Sequence, residues 1–204
     1  MSVEVRDVTH VAGGVTVLSE VWMTAAAGTL VVVAGRSGSG KSTLCHLVAG
    51  VGAPSSGRVQ VRGRPAHPAP AWSVVSLLPQ RLALVPELSV AENVAWPCRL
   101  AGRRVPEGLL DGLALAGLAG RAAKDTSLGE QQRTALARAL AVVPAVAVLD
   151  EPTGHQDDAN VDRVLQALRA ATAAGTCVLV ATHDERVLDV ADAVVRLEGG
   201  RVVG

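Results

Sequence analysis

The chain has no tyrosine and no phenylalanine, and outside histidine its aromatic side chains are Trp22, Trp72 and Trp96. A core must therefore be aliphatic, and the 49% apolar content, mostly Ala, Val and Leu, is enough to build one. Formal net charge is zero and no basic run stands out, so nucleic acid is not expected as a partner. No apolar stretch approaches the ~20 residues needed to span a bilayer. The nearest, Ala139 to Leu149, is short and interrupted by Pro144. The N-terminus, Met1 to Asp7, is acidic and alternating, unlike a signal peptide. Cys45, Cys98 and Cys177 are odd in number and far apart, with no metal-ligand spacing. They read as small buried residues of a chain in a reducing cytoplasm. At 204 residues, one α/β domain or a core with a small insertion is expected.

Lysine is also scarce: Lys41 and Lys124 stand against seventeen arginines. Lys41 lies in Gly35-Arg36-Ser37-Gly38-Ser39-Gly40-Lys41-Ser42, which matches G-x-x-x-x-G-K-[ST], the phosphate-binding loop of nucleotide triphosphatases. The apolar run Leu30 to Val33 before it reads as a buried strand, and Thr43 to Ala49 after it as a helix ended by Gly50. The glycines let the backbone curl so that several N–H groups point at phosphate oxygens. The helix N-terminus adds positive partial charge. The Lys41 ammonium, a compact charge on a thin stem, suits such a loop better than a planar guanidinium. It can reach the β- and γ-phosphates, and the Ser42 hydroxyl can ligate Mg²⁺.

Val3, Val5 and Val15 to Met23 read as short strands around a Gly13-Gly14 turn, and Val59 to Arg62 as another. The Pro-rich Arg64 to Ala71 reads as a surface loop. Ser73 to Leu78 is an apolar strand stopped by Pro79, with Gln80 after it. From about residue 82 the pattern turns helical. Ser89-Val90-Ala91-Glu92 forms a capping box, and Pro97 is expected to end or kink the helix it opens. Further helices are expected over Glu107 to Leu118, Gly129 to Val142 and Asp157 to Ala173. Ala145 to Leu149 and Cys177 to Ala181 are buried strands, and Ala193 to Leu197 pairs with Arg201 to Val203 across Gly199-Gly200. Alternating strands and helices imply α/β with a mainly parallel sheet, whose ligands sit at the carboxyl ends of the strands.

The phosphate loop, Gln80, Asp150-Glu151 and His183 all fall at such ends. In phosphate-loop enzymes the first acid after an apolar strand holds Mg²⁺, and a second is placed to take a proton from the attacking water. Gln80 could reach the metal or that water, and His183 a γ-phosphate. Taken singly, a Gln after a strand is more often polar surface, and a lone His structural.

Taken in order, the chain resembles the ATP-binding cassette (ABC) transporter ATPases over nearly all its length. The motifs are Gly35 to Ser42 (Walker A), Gln80 (Q-loop), Ser127-Leu128-Gly129-Glu130-Gln131-Gln132-Arg133 (signature), Val148 to Glu151 (Walker B), Asp157 (D-loop) and His183 (switch). Asp150 to Gly154 and Glu92-Asn93-Val94 with Pro97 look most like the lipoprotein-release and macrolide-export branch. The resemblance implies a single domain over 1–204: a phosphate-loop core, an antiparallel N-terminal β-subdomain and an inserted α-helical subdomain at about 82–140. It implies that ATP is bound by Gly35, Arg36, Ser37, Gly38, Ser39, Gly40, Lys41, Ser42 and Thr43. Ser127 and Gly129 of a second ATPase subunit would contact the γ-phosphate. Ser42, Gln80 and Asp150 would hold Mg²⁺, Glu151 would be the general base, and His183 and Gln80 would assist. It further implies a cytoplasmic subunit, peripheral on the inner face of the membrane, that hydrolyses ATP to drive a separate permease, through which the helical subdomain docks.

Three positions depart from the family pattern. Leu128 replaces the first signature glycine, and at a φ > 0 position it would be strained. Gln156 stands where a Leu usually precedes the D-loop Asp. The aromatic residue that stacks on adenine is missing near Val11 and Ala12. Two other readings follow. One is a nucleotide-gated regulatory clamp with low turnover, favoured by Leu128 and Gln156 and opposed by Glu151 and His183. The other is a non-transport cassette, a class that usually carries long insertions or fused cassettes, whereas this chain ends just after its last expected strand.

Overall fold

Gly13 and Gly14 turn the chain back on itself, so β1 (Val3–Ala12) and β2 (Val15–Ala25) form one long hairpin. The strands are longer than their alternation suggested, because the inward residues Val3, Val5, Val8, Leu18, Val21 and Met23 are all buried along it. In the computed structural model, which describes residues 1–203, this hairpin joins β4 (Ser56–Val61) and β5 (Arg64–Pro65) in an antiparallel sheet of order β2-β1-β4-β5. Gly204, the last residue of the expected domain, lies outside the described residues.

The second sheet holds β3 (Leu30–Ala34), β6 (Val75–Leu78), β7 (Val146–Asp150), β8 (Cys177–Ala181), β9 (Ala193–Glu198) and β10 (Arg201–Val203). Its order is β10-β9-β3-β8-β7-β6, and every pairing is parallel except β9 with β10. Every residue of β3, β7 and β8 is buried. Alternate side chains feed two cores. Val31 and Val33 face a core shared with the antiparallel sheet and α1 (Lys41–Val48). Leu30 and Val32 face a core built with α2 (Val90–Leu100), α4 (Leu128–Ala141) and α5 (Asp158–Ala173). A sheet covered on both faces explains the unbroken apolar runs in the sequence. The three cysteines are free and buried in these cores. Among the described residues no helix is long and apolar enough to cross a membrane.

Two helical expectations are corrected. Pro97 does not end α2, which continues through one more turn to Leu100. Tertiary bonds hold it: the buried Asn93 side chain donates to the carbonyls of Val85, Leu88 and Ser89 and accepts from Val85 N–H. The helix expected over Glu107 to Leu118 shrinks to α3 (Leu109–Gly112) and a separate 3₁₀ turn, Ala116–Leu118. Gly108 and Ala114 both take left-handed φ, which breaks the helix despite its leucines. Beyond β8, α6 (Glu185–Leu188) returns the chain to β9.

Candidate functional site

β3 delivers the chain to residues 35–40, and α1 begins at Lys41. Gly40 caps that helix at φ 103°, and a Cβ there would stand 2.6 Å from Leu18 Cδ2 and 3.0 Å from the Val17 carbonyl oxygen. A side chain there would displace the tip of Leu18 and crowd the Val17 carbonyl, at a left-handed φ that favours glycine. Lys41 Nζ donates to the carbonyls of Gly35 (2.8 Å) and Arg36 (3.2 Å), curled inside its own loop. Ser39 Oγ is buried with no partner among the described residues. The first turn of α1 has no acidic side chain, so nothing within it offsets the positive end of the helix.

A cavity of about 270 Å³ opens beside this loop, lined by Lys41, Ser42 and Thr43, with Gln80, Asp150, Glu151 and Val17 around them. A second, of about 610 Å³, lies along residues 35–39 and reaches His183, Arg196 and Glu198. The loop, Gln80, the acidic pair and His183 are thus brought together at the carboxyl edge of the parallel sheet. Ser127 and Gly129 line neither cavity.

Asp150 is the last residue of β7 and is 2% exposed. Burial pushes its carboxyl above the ordinary carboxylate value, and Glu151 adds to this. The neighbouring Ser42 hydroxyl and the charges of His46 and Lys41 oppose it. Asp150 Oδ2 has no partner among the described residues. Glu151 follows at φ 51°, a left-handed conformation uncommon for a side chain of this kind. Its N–H donates to Ala181 O (2.8 Å), and its carbonyl accepts from Gln132 Nε2 (2.8 Å). Asp150 pairs with Ala181 in the sheet register, so Glu151 and Thr182 are neighbours where β7 and β8 end. The Thr182 hydroxyl donates to Glu151 Oε2 (2.8 Å), and His183 Nδ1 lies 2.9 Å from Oε1. A carboxylate only accepts, so the Nδ1–H of His183 donates.

The N-terminus of α4 carries the remaining motif. Ser127 caps it, accepting from Glu130 N–H (3.3 Å), while the Glu130 carboxylate accepts from Ser127 N–H (2.7 Å). This bond holds the Glu130 carboxyl below its ordinary value. Leu128 is the first helical residue, half-exposed and absent from the residues with positive φ. The expected strain at Leu128 is therefore corrected, because the helix gives it an ordinary backbone. Gly129 is needed for close approach instead, since a Cβ there would lie 2.8 Å from the His155 carbonyl oxygen.

Gln156 makes this approach a fixed joint. Its Nε2 donates to Gly129 O (2.9 Å), and its Oε1 accepts from Arg133 Nη1 (2.7 Å). At the other end of α4, Arg138 donates to Leu82 O and Ala83 O, both at 2.8 Å. One helix thus ties the loop after Gln80 to the loop after Glu151. Gln156→Leu is expected to leave Gly129 O and the buried Arg133 short of partners and to cost about 1–3 kcal/mol. A thermal or urea melt checks it, and an unchanged midpoint would show that water replaces the amide.

Of these holding residues, Thr182 and Arg138 belong to none of the sequence motifs, Gln132 stands only as part of the signature run, and Gln156 only as a departure from the D-loop pattern. Thr182 has a signal in its place beside His183 at a strand end. The other three act over 19 or more positions in sequence.

The family profile described as "ABC transporter" matches residues 18–154. The chain is 38% identical over 211 residues to the lipoprotein-releasing system ATP-binding protein LolD of Anaeromyxobacter dehalogenans, covering 95% of this chain and 88% of that protein. It is 36% identical over 203 residues to the macrolide export ATP-binding/permease protein MacB of Burkholderia thailandensis, covering 93% of this chain and 31% of that one. It therefore spans about a third of the length of that export protein. Among solved structures, the dimeric post-hydrolysis state of the ATP-binding cassette MJ0796 bound to ADP and Pi superposes with a TM-score of 0.89. Identity there is 27%, over 99% of this chain and 97% of that chain.

Proposed function

The chain belongs to the ABC transporter ATPase family, and from that premise we propose that it binds and hydrolyses ATP to power a separate membrane permease. It would work as a pair of ATPase subunits at the cytoplasmic face of the membrane. The observation that carries this reading is the cavity in which Lys41, Ser42, Gln80, Asp150 and Glu151 meet at the end of a buried parallel sheet.

The residues present suit a triphosphate with Mg²⁺. Ser39 Oγ and Asp150 Oδ2 are buried polar atoms without partners among the described residues, a costly arrangement unless a ligand engages them. Among the described residues no group of three His, Cys, Asp or Glu side chains could hold a metal, so phosphate oxygens would complete the set offered by Ser42, Gln80 and Asp150. The ion would neutralise charge developing on the transferred phosphoryl group. Lys41 would leave the carbonyls of Gly35 and Arg36 and turn to the β- and γ-phosphates, while the N–H groups over residues 36–43 cradle them. Glu151 would take the proton of the attacking water, and His183 would contact the γ-phosphate. With Nδ1–H given to Glu151, a neutral His183 leaves Nε2 as an acceptor. It must therefore take a second proton or release Glu151 before donating to phosphate.

A second subunit is supported by the position of Ser127 and Gly129, which line neither of the cavities beside the phosphate loop. The capping box takes the N–H groups of Ser127 and Glu130, which leaves those of Leu128 and Gly129 to bind an incoming group, and Ser127, which accepts from Glu130, keeps its hydroxyl proton to donate. They suit an anion presented by another chain. The regulatory-clamp reading loses its main support, since Leu128 is unstrained and Gln156 is bonded. Steady-state ATP hydrolysis, with and without membranes carrying the permease, tests the choice. ATP binding without turnover in either condition would overturn the transport reading in favour of the clamp.

The segment at about 82–140 would face the permease. Trp96 is 52% exposed rather than buried in its own subdomain, and with Trp72, Val85, Leu88 and Leu100 it lines a groove of about 280 Å³. Arg138 floors this groove and holds residues 82 and 83 beside Gln80, so a partner seated there would press on the nucleotide side. Trp96→Ala is expected to weaken permease assembly by about 2 kcal/mol or more. Its effect on the melting of the isolated subunit should stay below about 1 kcal/mol. Loss of folding with no specific loss of assembly would return Trp96 to a structural role.

A further inference from the structure

Glu151 is held at both carboxylate oxygens, and the two holders differ in kind. Thr182 is 0% exposed, and its backbone N–H is bonded to Val33 O at 3.2 Å. The His183 side chain is 81% exposed. The Thr182 hydroxyl also accepts from Asp184 N–H at 3.1 Å, in the loop that leads into α6. A hydroxyl has one proton, and with the Asp184 N–H on a lone pair that proton is directed at Glu151 Oε2. The Glu151 backbone cannot drift, being fixed by Ala181 O on one side and Gln132 Nε2 on the other.

We propose that Thr182 is a positioning residue that anchors Glu151 Oε2 and so makes Oε1, the oxygen held by His183, the one that accepts the proton in catalysis. The proposal rests on the reading of Glu151 as general base. In the step, a water O–H bond breaks and its proton goes to Glu151 Oε1. The water oxygen forms the bond to the γ-phosphorus, and the β–γ bridging oxygen leaves with the electron pair of its bond to that phosphorus. His183 must let go of Oε1 first, and its exposure allows it to swing. Thr182, set in the sheet end, stays and keeps the carboxylate from rotating away.

The test uses the full chain, with ATP turnover followed against ATP concentration for wild type, Glu151→Gln, Thr182→Val and Thr182→Ser. Thr182→Val keeps the shape and removes the donor. Its kcat is expected to fall about tenfold, the value of one oriented hydrogen bond, with KM within about twofold. Thr182→Ser restores the hydroxyl and is expected to return kcat to within about twofold of wild type. Thr182→Ala, read alongside a melting curve, serves if the valine variant does not fold, and the same loss of kcat is expected. A wild-type kcat in the valine or alanine variant, or a loss that serine does not rescue, overturns the role of Thr182 alone. Wild-type turnover in Glu151→Gln overturns the general-base reading and this role with it.

Discussion

Glu151→Gln is expected to lose ATP turnover by at least about a hundredfold while keeping ATP affinity near that of the unmodified chain. The magnitude follows from the role, since a positioned general base contributes about 10²–10⁴ in rate. The amide is nearly the same size, and its backbone partners, Ala181 O and Gln132 Nε2, do not involve the side chain. Its oxygen can still accept from Thr182, its NH₂ faces His183 Nδ1, which can accept it in the other tautomer, and the ability to take a proton is removed. Lys41, Ser39 and the loop N–H groups are untouched, so the triphosphate should bind as before. With binding intact and chemistry stopped, the paired, ATP-bound state should accumulate. Light scattering in the presence of ATP and Mg²⁺ is expected to show a dimer that persists in the variant and decays in wild type. Near-normal hydrolysis in the variant would remove Glu151 from the role of base.

What could be read from sequence was what lies in short, uninterrupted stretches. The strand–loop–helix over residues 30–48 is local, and each part carries its own pattern. The apolar runs ending at Asp150 and Ala181 read as buried strands because both faces are covered, and that burial put Asp150, Glu151, Thr182 and His183 at one edge. Leucine spacing over residues 107–118 misled, because three glycines and a left-handed Ala114 outweigh it. Leu128 was misjudged for a related reason. A family pattern names a residue type, but the helix that starts at Leu128 sets its φ. Gln156 and Arg138 were invisible as functional contacts, since they bond to backbone 27 and 55 positions away, and such pairs leave no period in a sequence. The joint they form matters for mechanism all the same. A helix of 14 residues, about 21 Å long, is fastened at one end to the loop after Gln80 and at the other to the loop after Glu151. A push at the Trp96 groove and a pull at Ser127 would thus act on the same rigid body.

ATP and GTP are expected to bind within a few-fold of each other, because the chain offers neither base a ring to stack on. The mouth of the cavity near the β1–β2 turn is aliphatic: Val11 and Val15 are exposed there, and Val17 lines the cavity itself. The tryptophan on this hairpin, Trp22, is 58% exposed but lines neither cavity. It lies five residues beyond Val17, roughly 16 Å along an extended strand, too far to cover a base whose phosphates sit at Lys41. Affinity should then rest on the triphosphate, through contacts that do not distinguish bases. Lys41→Ala is accordingly expected to weaken both nucleotides alike, by about tenfold or more, as for loss of a hydrogen bond to a charged group. Ala12 pairs with Val15 at the tip of the hairpin, where Ala12→Tyr would place a ring at the mouth. An aromatic platform contributes roughly 1–3 kcal/mol per base, and every base presents a π-face to it. Ala12→Tyr should therefore tighten ATP and GTP together, by about five- to a hundredfold. Equilibrium titrations with both nucleotides, on wild type, Lys41→Ala, Ala12→Tyr and Trp22→Ala, measure all of this. Affinity for both nucleotides that is unchanged by Ala12→Tyr and falls in Trp22→Ala would mean that the hairpin bends to bring Trp22 over the base and that the platform is present after all.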